Sequence, residues 1–344
     1  MNHEDHRAAD DGGARGPDRR TGASGQPGSV SEVSRAGRAV LDRAAEAVVG
    51  ADAALSTALA AVLAGGHVLF EDMPGLGKTL VARSLAQSLG LPFRRLQCTP
   101  DLLPSDVTGS SLYDPAARTF EFRRGPVFTG LLLADEVNRT SPKTQSALLE
   151  AMAEGQVSVE GTTYALPRPF HVFATSNPVE FEGTYPLPEA QLDRFLVRLS
   201  IGYPDPAAEA EIVARRLARG IDEPVLEPVL DAQGLARLQD LLTTLPVAAD
   251  IVDYAVRLAA ATRRLDAVQL GASPRGAQAL VLVARAAAAL QGRAYVLPED
   301  VKGLAVPVLA HRLVLSPSAW ARGLDTAALV RAAAEAVPVP ATAG

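Results

Sequence analysis

The segment His67-Val68-Leu69-Phe70-Glu71-Asp72-Met73-Pro74-Gly75-Leu76-Gly77-Lys78-Thr79-Leu80 decides the fold. Its first four residues form an apolar run that reads as a buried strand. Lys78 opens a helical pattern that closes at Leu89-Gly90. Between strand and helix, Gly75 and Gly77 let the backbone bend until successive N–H groups point inward, a nest matched to phosphate oxygens. The helix adds its positive N-terminal end at the same point. Pro74, Gly75, Leu76, Gly77, Lys78, Thr79 and Leu80 are therefore the expected nucleotide-binding residues. Lys78 is placed to reach the β- and γ-phosphates of ATP, and the Thr79 hydroxyl to ligate Mg²⁺. The strict pattern has glycine where Asp72 stands, so the match lacks one residue. An ordinary glycine-rich turn is the bland alternative.

Outward from this segment, short apolar runs alternate with helical periodicity. Phe93–Cys98, Leu131–Ala134, Phe170–Thr175 and Phe195–Ile201 read as further strands. Leu131-Leu132-Leu133-Ala134 is too apolar to have a solvent face, which suits a buried parallel strand. Ser141-Pro142 reads as a cap followed by proline in the first helical turn, and Gly155 ends that helix. The alternation predicts an α/β fold with a central parallel sheet flanked by helices. Two hairpins interrupt it, 111–113 with 119–122 around Asp114-Pro115, and 156–159 with 163–166 around Glu160-Gly161.

Beyond Tyr203-Pro204-Asp205-Pro206 strand signals vanish. Helices are expected near 207–219, 232–244, 248–264, 274–290, 298–312 and 325–336, forming an α-helical second domain. Ahead of the first strand, helical periodicity begins near Ser34, and a second helix runs from Asp52 to Gly65-Gly66. Residues 1–32 are rich in Gly, Pro, Ser, Arg and Asp and cannot bury enough apolar surface to offset chain entropy. The expected division is a disordered tail at 1–32, an α/β nucleotide-binding domain at 33–204 and an α-helical lid domain at 205–344.

Composition supports a cored, multi-domain chain: 344 residues, 48% hydrophobic and 21% charged, against roughly 150 residues per domain. The strongest candidate for a membrane span, Ala279–Leu290, is short and interrupted by Arg285. The opening Met1-Asn2-His3-Glu4 lacks the order of a secretory signal, so a cytoplasmic location is expected. The single cysteine, Cys98, excludes an intrachain disulfide and a cysteine-cluster metal site. Five histidines show no metal-ligand spacing and are read as core or surface residues. A net charge of −6 gives no electrostatic footprint for nucleic acid, although a locally basic channel stays open.

A second cluster completes the chemistry. The apolar strand ending in Asp135-Glu136 delivers two carboxylates to the carboxyl edge of the sheet, where open α/β folds bind ligands. Asp135 is suited to hold Mg²⁺ through its water shell, and Glu136 to orient and deprotonate an attacking water. Asn177, after the strand ending at Thr175, lies beside Asp135 if the two strands are neighbours; otherwise it is a turn residue before Pro178. Arg194 sits just before a core strand. It is either a solvated helix end or, opposite a neighbour's nucleotide, a group that stabilises transition-state charge in trans.

The ordered set Glu71–Thr79, Thr99–Asp106, Asp135–Arg139, Lys143–Met152, Ala174–Pro178 and Pro188–Phe195 closely resembles AAA+ ATPases, and its wording resembles the MoxR family. The likeness covers residues 36 to 335. It implies an AAA+ P-loop core followed by a helical lid, with Asn177 at the sensor 1 position and Arg194 as the arginine finger. Arg275, in Gly271-Ala272-Ser273-Pro274-Arg275-Gly276, matches sensor 2 and is implied to reach the nucleotide from the lid. The two hairpins resemble the helix 2 insert and the pre-sensor 1 hairpin, which mark the clade that also holds the magnesium chelatase ATPase subunit. The resemblance further implies a homo-oligomeric ring, usually a hexamer. It implies chaperone-like assembly or metal loading of a client protein, often with a partner carrying a von Willebrand factor A domain. Two other readings stay open: a nucleic-acid-stimulated motor, and a nucleotide-gated scaffold with little turnover. A small-molecule P-loop kinase fits less well, because the acids, Asn177 and the arginines describe hydrolysis more than transfer.

Overall fold

The computed structural model describes residues 29–178, 183–220 and 224–340. Most of the expected tail, residues 1–28, lies outside the described residues. Helix α1 (Val30–Ala45) begins within the stretch read as tail, because Val33 joins Val40 and Ala44 on its buried side and carries the helix one turn further back.

The chain continues through α2 (Asp52–Leu63), β1 (Val68–Glu71), α3 (Lys78–Ser88), β2 (Phe93–Gln97), α4 (Pro104–Thr108), β3 (Gly109–Asp114) and β4 (Thr119–Arg124). It goes on to β5 (Leu131–Asp135), α5 (Pro142–Glu154), β6 (Gln156–Val159), β7 (Thr162–Ala165), β8 (His171–Ser176), α6 (Glu189–Leu192) and β9 (Val197–Leu199). Five strands form a parallel sheet in the order β2-β5-β8-β1-β9. Strand β8 lies between β1 and β5, so the loops leaving all three converge at one edge. Every residue of β5 is buried, as a central parallel strand requires.

Strand alternation separates two apolar layers. Val68, Phe70, Leu133 and Phe173 face α1, α2 and α3, with the Phe70 and Phe173 rings edge-on at 5.7 Å. Leu69, Leu132, Ala134 and Val172 face Leu148, Leu149 and Met152 of α5. Helix α5 starts at Pro142, the Ser141 side chain accepts from the Thr144 N–H, and Gly155 closes it at φ 61°. Strands β3 and β4 form the first hairpin and β6 and β7 the second, whose turn residues Glu160 and Gly161 have φ 51° and 81°.

The C-terminal part contains α7 (Pro206–Arg219), α8 (Ala232–Thr244), α9 (Ala249–Thr262), β10 (Val268–Leu270), α10 (Pro274–Leu290) and α11 (Pro298–Gly303). After these come α12 (Ala305–Leu309), β11 (Val314–Leu315), α13 (Pro317–Ala321) and α14 (Thr326–Ala336). This part is not entirely helical as expected: β10 and β11 pair antiparallel. Strands of three and two residues are too short for alternation to register. The single helix expected at 298–312 breaks at Leu304, because Pro307 has no N–H to donate to the Gly303 carbonyl and its ring collides with it. Leu235, Leu238, Leu280 and Ala284 of these helices join the same core as Leu55 and Leu59 of α2. Gly37 permits the close approach of α1 to α10, since a Cβ there would collide with Leu290.

His67 and His171 are buried at the amino ends of β1 and β8. The Val172 N–H donates to His67 Nδ1 at 2.9 Å, which leaves His67 Nε2–H to donate to the Met152 carbonyl at 3.2 Å. His171 Nδ1–H donates to the Gly66 carbonyl at 2.8 Å, and its Nε2 accepts from Gln239 at 3.1 Å. Burial, then the neighbouring His171, lowers the pKa of His67 to about 3; burial lowers that of His171 to about 4. The unfolded chain therefore binds protons below the ordinary histidine value of 6.5 that the folded chain refuses until about pH 4. Stability should fall as pH drops through that window, by about 1.4 kcal/mol per pH unit per histidine. Burial, then the charge of Arg312, holds His311 well below the ordinary value as well. Urea unfolding at pH 7 and pH 5 should show the loss, and His171→Gln should reduce it by about a third, its share of the three buried histidines; equal stability at the two pH values would contradict this account.

Candidate nucleotide site

A cavity of about 440 Å³ opens at the carboxyl edge of the sheet. It brings together Pro74, Gly75, Gly77, Lys78, Thr79, Leu80, Asp135, Glu136 and Asn177 of the expected residues. Gly75 and Gly77 have φ 84° and 82°, and nothing lies within 4 Å of where a Cβ would stand. These glycines are needed for backbone conformation and not for space. Lys78 Nζ donates to the Asp72 carbonyl at 2.6 Å. Leu76 lines a neighbouring cavity of about 320 Å³ instead, with Val48, Val49, Ile201 and Ile212; Gly75, Gly77 and Leu80 border both.

The departure at Asp72 has a structural reason. Its Oδ2 accepts from the N–H groups of Ile201 and Gly202 at 2.6 and 2.8 Å and from Ser200 Oγ at 3.0 Å. The carboxylate thus ties the loop to the chain leaving β9, across about 130 positions that no local pattern connects.

Thr175 organises the two acids. Its hydroxyl donates to Asp135 Oδ1 at 2.6 Å and accepts the Glu136 N–H at 2.8 Å. Arg95 Nε and Nη2 donate to Asp135 Oδ2 at 2.9 and 2.6 Å. Glu136 sits in the left-handed region at φ 58°, a costly conformation for a non-glycine residue. Its carboxylate accepts from Gln97 Nε2 at 2.8 Å and from Arg139 Nη1 at 3.1 Å. Sequence reasoning missed Arg95, Gln97 and Thr175. The one available signal was the two-residue spacing that puts Arg95 and Gln97 on the same face of β2.

The donors fit Mg²⁺. Thr79 and Asp135 offer oxygens in one cavity, the small protein share that Mg²⁺ takes when phosphate and water complete its shell. Among the described residues no group of three His, Cys, Asp or Glu side chains could hold a metal ion. Burial, followed by the charges of Asp135 and Glu136, pushes the Cys98 thiol up to about 12, so it stays protonated and inert.

Arg194 and Arg275 do not enter this cavity. They line another, of about 230 Å³, with Asp193, Arg312 and His67. Arg275, implied to reach the nucleotide from the lid, stands at the amino end of β1. The P-loop lies at the other end, at least a four-residue strand of about 13 Å away. The reason is a buried tether. Arg312, its side chain 2% exposed, donates through Nε to Asp193 Oδ1 at 2.7 Å and also to the carbonyls of Phe195, Leu196 and Val308. Ser273, which caps α10 beside Arg275, contacts Asp193 Oδ2 at 3.4 Å. The Arg194 Nε is buried without a hydrogen-bond partner.

A phosphate-binding loop, two acids and an asparagine at one edge of a β2-β5-β8-β1-β9 sheet define a P-loop ATPase of the AAA+ class. A family model described as "ATPase family associated with various cellular activities (AAA)" matches residues 67–197, and an AAA lid domain model matches 260–333. Chaperone MoxR1 of Mycobacterium tuberculosis is 39% identical over 92% of this chain and 85% of its own length. Bacillus subtilis YeaC is 49% identical over 82% of this chain and 88% of its own length. A crystal structure from Cytophaga hutchinsonii superposes with a TM-score of 0.84 at 38% identity, covering 91% of this chain and 97% of that one. The chain belongs to the MoxR family of AAA+ ATPases.

Restoring the strict loop pattern should harm this protein. Asp72→Gly removes the acceptor for the N–H groups of the partly buried Ile201 and Gly202, each hydrogen bond to a charged group being worth about 1.5–3 kcal/mol at most. Thermal unfolding should shift downward by several degrees, with no gain in ATP affinity by titration. A stabilised or tighter-binding variant would refute the tether.

Proposed function

We propose that the protein is a Mg²⁺-dependent ATPase that couples hydrolysis to remodelling, assembly or metal loading of a client protein. It would work as a cytoplasmic homo-oligomeric ring, a hexamer by family likeness, with a von Willebrand factor A domain protein as partner. Supporting this reading is the convergence of Lys78, Thr79, Asp135, Glu136 and Asn177 on one cavity. Among the described residues no helix is long and apolar enough to cross a membrane.

In this reading the inward N–H groups at Gly75 and Gly77 hold the phosphates, and the apolar cavity of Val48, Val49 and Leu76 takes the base. Lys78 and Arg95 offset charge at the γ-phosphate end. Thr79 and Asp135 would hold Mg²⁺, which supplies charge neutralisation between the phosphates. Glu136 orients water and accepts its proton, once Gln97 and Arg139 release the carboxylate oxygen they occupy. Asn177 positions that water against the phosphate.

Arg194 and Arg275 lie together away from their own P-loop, in a cavity where three arginines face one acid, Asp193. They suit a neighbour's nucleotide better than their own. Each active site would thus be shared between two copies of the chain, as in a head-to-tail ring.

Lys78→Ala should abolish nucleotide binding or hydrolysis, and Glu136→Gln should bind ATP without turnover. Arg194→Ala should lower kcat on the order of 10³-fold or more. Mixing it with Lys78→Ala should restore part of the rate, because one subunit binds ATP while the other offers the arginine. Full activity of isolated monomers would sink the shared site. Stimulation by added single- or double-stranded DNA would favour a nucleic-acid motor instead.

A further inference from the structure

Helix α7 is amphipathic in the wrong direction for an isolated chain. None of its residues is buried, and Arg215 pins its inner side by donating to the carbonyls of Ala45 and Glu46 at 2.9 and 3.1 Å. Ala210, Val213, Ala214 and Leu217 recur at i, i+3, i+4 and i+7 on the side away from that anchor, with Val213 54% and Leu217 77% exposed. Such a stripe is the face that a helix ordinarily buries. On the lid, a groove of about 650 Å³ between α9 and α10 is walled by Val252, Val256, Val281 and Leu282, and Val252 and Val256 are 40% and 48% exposed.

We infer that α7 of one copy docks in the α9–α10 groove of the next copy. The inference rests on the ring reading above and adds the surfaces that hold the ring. Charge sets the direction. Glu211 and Arg215 pair with each other on the inner side of α7, but along the flank of the apolar stripe charge runs from acidic, at Glu209, to basic, at Arg216. Along the α9 wall it runs from Asp250 and Asp253 to Arg263. Opposite charges meet only in the antiparallel alignment, which also pairs the helix dipoles favourably. Both apolar rows then match in spacing, because Val213 and Leu217 are four residues apart, as are Val252 and Val256. Leu217 falls beside Val252, and Val213 beside Val256.

Continuity places the same two surfaces together. Gln278 and Leu282 line both the groove and the cavity of Arg194 and Arg275. Gly75, Gly77 and Leu80 line both the P-loop cavity and the cavity bordered by α7. When the arginine face of one copy meets the P-loop face of the next, the groove is carried to α7.

The test is a cysteine pair, Leu217→Cys with Val252→Cys, in the full chain; the native Cys98 is buried and does not compete. Mild oxidation with ATP should produce a ladder of covalent multimers from the double variant and no such ladder from either single variant. Leu217→Arg, at a position already exposed, should keep the thermal midpoint but raise the concentration for half-assembly at least tenfold. Rings of full mass that yield no ladder, or that assemble normally with Leu217→Arg, overturn the docking and leave the shared site standing. A wild-type chain that stays monomeric with ATP overturns the ring reading and the docking together.

Discussion

The structure depends on the insertion of β8 between β1 and β5. These strands are apolar on both faces, so their backbone groups must be paired by flanking parallel strands and their side chains covered by helices. That pairing puts the register Phe70–Thr175 beside Ala134–Ala174, and so sets the exits of three strands side by side. Convergence of Lys78, Asp135 and Asn177 follows from strand order and not from any attraction between them. The acids then need compensation in a partly buried place: Asp135 receives the Thr175 hydroxyl and the Arg95 guanidinium from the edge strand, and the Glu136 carboxylate accepts from Gln97 and Arg139.

The molecule carries two cavities at opposite ends of the same strands. At the carboxyl edge stand the P-loop and acids; at the amino edge stand Arg194 and Arg275, with the buried histidines beneath. The amino-edge face is held by Arg312 and Asp193, an ion pair whose guanidinium is buried and bonded to carbonyls while the Asp193 carboxylate is partly exposed. Such a pair is weak evidence for stability but fixes geometry, because removing Asp193 leaves the buried Arg312 charge without its counter-ion. It holds the segment that carries Arg194 against the lid, where Arg194 and Arg275 line one cavity and the P-loop lines another.

What was legible in the sequence was local. The loop from Pro74 to Thr79, the cap and stop of α5, and the Glu160-Gly161 turn each follow from a few consecutive residues and their allowed backbone conformations. Partners joined by distant folding were not legible. Asp72 looked like a defect until Ile201 and Gly202 were seen on its carboxylate. Arg95 drew no reading at all, because its partner Asp135 stands 40 positions further on. The placement of Arg275 required knowing where α10 begins relative to β1, which the spacing of residues 271–276 does not contain. Short strands β10 and β11 escaped for the same reason: their pairing joins segments about 45 residues apart, with too few residues to show a period.

The lid is built into the body, and this limits how nucleotide can act on it. Ser34 donates to the Leu290 carbonyl at 2.9 Å and Gln239 to the Val62 carbonyl at 2.8 Å, tying α10 to α1 and α8 to α2. Leu55, Leu59, Leu235, Leu238 and Leu280 belong to one buried cluster. Swinging the lid as a hinged flap would open that cluster, at roughly 25 cal/mol for each Å² of apolar surface exposed. A packed core resists graded deformation. Helix α7 has no buried residue, and the β3–β4 hairpin exposes Tyr113 and Phe120. Displacing α7 or the β3–β4 hairpin therefore exposes less apolar surface than swinging the lid.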